Sequence, residues 1–179
     1  METLLSYRLS DLLMFSEQTY LRQIELYNQW LFPFQIAAYG YGLLCLPAFV
    51  KPFNKLARLV FPVSGLCYAL VSYGFLWQYY AGINPLAVYL VGLLVIQGVI
   101  FISVGVKMKT PLIQLDTPAR RSIGIMLWLI ALAVYPAIEG LSGRPLSQFS
   151  SFVLSPDTLA LSSIALMLMF QLPGWLLLP

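Results

Sequence analysis

Residues 86–106 read LAVYLVGLLVIQGVIFISVGV, twenty-one positions without a charged side chain and with one carboxamide, Gln97. A helix of about 20 mainly apolar residues matches the roughly 30 Å hydrocarbon core of a bilayer. The rest of the chain fits that solvent. It has 179 residues, 60% of them hydrophobic, 15% aromatic and only 9% charged. A water-facing domain carries about 25% charged residues, so this chain cannot cover an aqueous surface. At this length one domain is the default. The net charge of +3 is small and scattered, which argues against nucleic acid as a partner.

Four further runs are apolar enough to expect as spans: Leu31–Val50, Leu59–Tyr79, Pro118–Glu139 and Pro156–Leu178. Their ends carry helix signals. Thr117-Pro118 and Ser155-Pro156 each place a capping residue before a proline at the first helical position, where the missing N–H costs nothing. Asp157 adds a negative charge favoured by the helix dipole, and Pro85 opens the third span in the same way. Pro33, Pro47, Pro62, Pro136 and Pro173 fall near span ends and read as kinks or end markers.

Lys and Arg in the connections set the orientation. Lys51, Lys55, Arg58, Lys107, Lys109, Arg120 and Arg121 fall on one side, and Arg8, Arg22 and Arg144 on the other. The seven belong inside, so the N-terminus lies outside and the C-terminus in the cytoplasm. The N-terminal stretch gathers Glu2, Asp11, Glu17 and Glu25, four of the seven acids in the chain. A slightly acidic tail crosses toward a positive exterior more easily than a basic one, each charge being worth ~2 kcal/mol per 100 mV. The expected tail is residues 1–30, one or two interfacial amphipathic helices, followed by the bundle at 31–179. Tyr20, Ile24, Tyr27 and Leu31 form one apolar stripe, with Glu17, Arg22, Glu25, Asn28 and Gln29 on the other faces. Ser16 caps this helix, Arg22 and Glu25 pair across one turn, and Trp30 marks the water boundary. A shorter stripe, Leu5, Leu9, Leu12 and Leu13, lies upstream. Tyr39, Tyr41, Trp77, Tyr79, Tyr80, Tyr89 and Tyr135 gather toward the outer side as an aromatic belt. The outer loop at 141–155 is long, and Leu146, Phe149, Phe152 and Val153 predict a short helix lying on the surface.

The stretch YRLSDLLMFSEQTYLRQIELYNQWLFPFQ (7–35) resembles the start of a bacterial family of functionally uncharacterised multi-pass membrane proteins. The matching positions are Phe15, Ser16, Thr19, Tyr20, Glu25, Tyr27, Asn28, Pro33 and Gln35. Tyr135-Pro136 and the run from Gly143 to Thr158 match further features. The family's last outer loop carries a His after a Gly and a Cys within Pro-Cys-Pro-Thr. Here Arg144 and Ser155-Pro156-Asp157-Thr158 stand in those places, so the resemblance brings no metal or thiol chemistry and no established activity.

The residues limit the chemistry further. There is no histidine, which removes imidazole general bases and His-ligated haem. Cys45 and Cys67 lie inside apolar runs and read as packing residues, and no metal ligand set, cofactor site or catalytic constellation is expected. The initial METLLSY has no basic segment of a removable signal. Met1-Glu2 excludes myristoylation, and LLLP is not a prenylation box. Glu139 reads either as an interface carboxylate paired with Arg144 or as an outer-mouth residue for a cation or amine. Gln97 reads as an interhelical hydrogen bond or as a pore contact. Gly65 with Ala69, and Ala133 with Ala137, are spaced for close helix contacts within the chain or with a partner.

The expected protein is an all-α membrane bundle of five transmembrane helices in the bacterial inner membrane. It is expected to act as a non-catalytic accessory subunit. The residues expected to meet a partner or form an outer mouth are Glu17, Tyr20, Arg22, Glu25, Tyr27, Asn28, Glu139 and Arg144, and its partners would be the lipid bilayer and another membrane protein or a second copy. The alternative is a component of a transporter or channel with its path between protomers, and a third is an enzyme acting at the outer surface.

Overall fold

The computed structural model describes residues 16–50, 54–107 and 118–170. Their order is α1 Glu17–Leu31, α2 Phe34–Val50, α3 Asn54–Leu70 with a π-helical continuation Val71–Tyr80, α4 Ala87–Lys107, α5 Pro118–Leu129, a π segment Ile130–Val134, α6 Tyr135–Leu141, a single 3₁₀ turn Leu146–Gln148, and α7 Pro156–Met169. All of these regular elements are helices. The expected upstream stripe at Leu5–Leu13 and the Thr117 cap lie outside the described residues.

Among the described residues three stretches are long and apolar enough to cross a membrane: Arg58–Tyr80, Ala87–Lys107 and Pro118–Leu141. Each falls within two residues of its expected bounds at the described ends. The first expected span differs. Ser16 caps α1, accepting from the Thr19 N–H at 3.2 Å, but Leu31 ends α1 instead of opening a span. The chain turns at Phe32-Pro33, and α1 and α2 meet at 84°. Taken together as one broken span, they would bring the total to four. The fifth expected span is represented by α7, only 14 residues long; residues 171–178 lie outside the described residues.

Close packing explains several small residues. A Cβ on Gly65 would lie 2.7 Å from the Gly98 carbonyl oxygen and 2.6 Å from Ile102, so α3 and α4 cross backbone to backbone. The Gly65 spacing thus serves a contact within the chain. Inside, rings meet tilted or edge to face: Phe49 with Trp128 at 5.0 Å, Trp128 with Phe152 at 5.1 Å, Phe61 with Phe170 at 5.2 Å and Phe61 with Phe101 at 5.6 Å. Such pairs add about 0.5–1.5 kcal/mol beyond the area they bury. Cys45 and Cys67 are both buried. At the end of α2, Arg121 donates to the Phe49 and Val50 carbonyls. These last-turn carbonyls have no helical partner, so α5 caps α2.

The 141–155 connection is where the fold departs most from expectation. In place of a surface helix there is one 3₁₀ turn, and the chain then dips into the bundle. Phe152 and Val153 are fully buried. The Phe152 ring lies where a Cβ on Gly42 would come within 2.6 Å of it, midway along α2, and Trp128 donates to the Gly42 carbonyl at 3.0 Å. α7 therefore starts part-way down and runs on until Phe170 packs on Phe49 and Phe61. The non-helical segment and α7 together run the length of the bundle. The expected surface helix failed because its apolar side chains had a better place to go: Gly42 leaves room for Phe152, and the serines around it satisfy the loop's backbone.

Candidate functional site

The apolar stripe of α1 packs against the bundle. Ile24, Tyr27 and Leu31 are buried, Tyr27 lies 5.4 Å from Phe75, and Tyr20 lies 6.2 Å from Phe75 and 5.9 Å from Tyr80. One residue expected on the polar face is buried as well. Asn28 is only 6% exposed. Its Nδ2 donates to the Ser147 carbonyl at 2.9 Å and the Phe149 carbonyl at 2.8 Å. Its Oδ1 accepts from Gln35 Nε2 at 2.9 Å and from Ser151 Oγ at 3.4 Å. One carboxamide thus ties α1 to α2 and to the re-entrant segment. Beside it the Tyr27 hydroxyl donates to the Leu154 carbonyl at 2.9 Å.

The segment is held from its other side by α6 and α7. Glu139, 7% exposed, accepts from the Ser150 N–H at 2.6 Å and the Ser150 hydroxyl at 2.9 Å. Arg144 approaches the same carboxylate at 3.3 Å and Glu17 at 3.6 Å. The expected Glu139–Arg144 pair is present, and the Ser150 partner was not foreseen. Ser155 does not cap α7 with its side chain; its Oγ accepts from the Ser151 N–H at 2.9 Å. Thr158 donates to the Ser151 carbonyl at 2.7 Å, and the Tyr135 hydroxyl donates to Asp157 Oδ2 at 3.0 Å. Val153 adopts φ +52°, a region that a β-branched residue rarely enters. The backbone strain is held in place by this network.

Several of the residues that carried the family resemblance therefore converge. Tyr27, Asn28, Gln35, Tyr135 and the Ser155–Thr158 run all bond within this one junction. Burial, followed by the Asp157 charge, raises the Tyr20 hydroxyl above its ordinary range, so it stays neutral. Between Tyr20, Ser150, Ser155 and Asp157 lies a gap of about 10 Å³, the size of one water. Outside it, Tyr135, Ile138, Glu139, Ser142 and Arg144 line an open cleft of about 250 Å³. Among the described residues no group of histidines, cysteines and carboxylates is arranged to hold a metal, and no buried polar side chain lacks a hydrogen bond.

The other expected site residues lie outside the buried centre of this junction, Glu17 touching it only through Arg144. The Glu17 side chain is exposed, and Arg22 pairs with Glu25 at 3.0 Å at the surface. Gln97 lies on α4, half-buried, in a groove of about 320 Å³ formed with Tyr68, Leu93, Leu94, Pro156, Leu159 and Ala160. Ser150, Ser151 and Thr158 were not singled out as site residues. The signal that could have found them is the density of Ser and Thr between two apolar helices, since a backbone segment buried without a helical ladder needs such side chains to satisfy it.

An all-helical chain with several long apolar helices, compatible with a membrane protein, is thus closed at one end by a hydrogen-bonded junction of α1 and a re-entrant segment. Residues 17–178 match a family of unknown function, DUF6064, and the chain belongs to it. No curated protein and no solved structure matches.

Proposed function

We propose that this is a multi-pass protein of the bacterial cytoplasmic membrane that serves as a non-catalytic accessory subunit. It would hold α1 as a rigid docking face on the outer side. The observation that carries the reading is Asn28. Its four hydrogen bonds fix α1 to the bundle, while Glu17, Arg22 and Glu25, joined only in solvent-facing ion pairs, would meet the partner. Tyr27 and Asn28, buried as they are, support that face from beneath. In this reading the chain crosses the bilayer five times, through α2, α3 with its π continuation, α4, α5 with α6, and finally the re-entrant segment with α7. Irregular backbone at membrane depth is tolerated only where protein surrounds it, which agrees with the burial of residues 150–155. The aromatic packing of the interior favours an accessory role over conduction through a single protomer.

The test has two parts. Resistance to alkaline carbonate extraction, with external labelling of a cysteine at position 18 and none at 109, is the expected membrane result. Purification in mild detergent should then give a stoichiometric complex that Glu17→Lys with Glu25→Lys dissociates, while the thermal midpoint falls by no more than the few degrees that two surface ion pairs account for. A chain that purifies without a partner and moves solute in liposomes would overturn the accessory reading.

A further inference from the structure

Gln97 is the eleventh residue of the 21-residue α4, about 15 Å from either end at 1.5 Å per residue. A side chain cannot reach interfacial water over that distance. Among the described residues Gln97 makes no side-chain hydrogen bond: the nearby Tyr68 hydroxyl is given to Ser163 Oγ at 2.8 Å. Among the described residues the amide therefore lacks the interhelical partner that its position calls for. Beside it α4 is the least covered of the long apolar helices, with Leu93 61% exposed on the lip of the groove that Gln97 lines.

We propose that this groove is a self-association surface, occupied by a second copy of the chain, with the two Gln97 amides bonded to each other. Acyl chains at this depth offer no hydrogen-bonding group. A carboxamide carries both a donor and an acceptor, so it complements its own copy. A two-fold axis along the membrane normal brings equal depths face to face, setting Gln97 opposite Gln97 and each Leu93 at the other copy's groove. The inference rests on the membrane reading but not on the role of α1.

The test uses the full chain in native membranes and in lipid nanodiscs. The wild type should be dimeric, and Gln97→Leu should weaken dimerisation about eightfold, the loss of two interhelical hydrogen bonds. Gln97→Cys should form an oxidative cross-link of twice the chain mass, and Val99→Cys, on another face, should not. A monomeric wild type, a dimer indifferent to Gln97→Leu, or a cross-link to a product of another mass would each overturn the proposal. Release of the wild type by carbonate would instead remove the membrane reading beneath it.

Discussion

Replacing Asn28 with alanine removes four hydrogen bonds at once. The Ser147 and Phe149 carbonyls lose their donor, and the Gln35 amide and Ser151 hydroxyl lose their acceptor. A buried polar group left without a partner costs about 1–3 kcal/mol. Gln35 and Ser151 can turn to other partners, whereas the two backbone carbonyls cannot move without lifting the segment. The expected loss is therefore about 2–4 kcal/mol, or roughly 5–15 °C of thermal midpoint for a chain of this size. Asn28→Asp keeps the acceptor but turns a carboxylate toward two carbonyls, and should be at least as damaging. The assay is thermal unfolding in detergent, followed by amide hydrogen exchange. The amides of residues 149–155 should lose protection before those of α4. Midpoints within 1 °C of wild type for both variants, with unchanged exchange in the segment, would refute the reasoning.

Phe152→Ala leaves a void between Gly42 and Trp128 and should cost about 3–5 kcal/mol, read as a lowered thermal midpoint. Glu139→Gln keeps one acceptor for Ser150 and should cost about 1–2 kcal/mol, while Glu139→Ala strands the Ser150 N–H and should cost more; the order of the two midpoints is the check. Gly98→Val forces a branched side chain against Gly65 and Tyr68 and should cost about 1–3 kcal/mol. Gly92→Val, which meets nothing within 4 Å, should leave the midpoint nearly unchanged.

The helices were legible where a single property decided them. The length of an uninterrupted apolar run located Arg58–Tyr80, Ala87–Lys107 and Pro118–Leu141, and local chemistry located the Ser16 cap, the Arg22–Glu25 pair and the Glu139–Arg144 pair. What escaped were properties that depend on partners far along the chain. Asn28 borders the apolar stripe of its own helix, one turn after Ile24, but nothing near it signals that Ser147, Phe149 and Ser151 will come to meet it. The apolar spacing of Leu146, Phe149, Phe152 and Val153 fits a surface helix as well as a buried segment. Gly42 and Trp128, which decide between them, are contributed by two other helices. The break at Phe32-Pro33 was half visible: the proline marked a boundary, but the 84° turn depends on where α1 finds its cover.

In the proposed membrane arrangement, the re-entrant segment also sets an order in time. A helix can enter the bilayer alone, because its own ladder satisfies its backbone. Residues 149–155 cannot, since their polar groups bond to α1, α6 and α7. Phe152 can take its place only once α2 and α5 stand side by side, so the last part of the molecule to mature is neither the first nor the final stretch synthesised. A nascent chain halted before α7 would hold all the earlier apolar helices and still lack Thr158, whose hydroxyl holds the Ser151 carbonyl, so the segment that α1 bonds would go without its hold from α7.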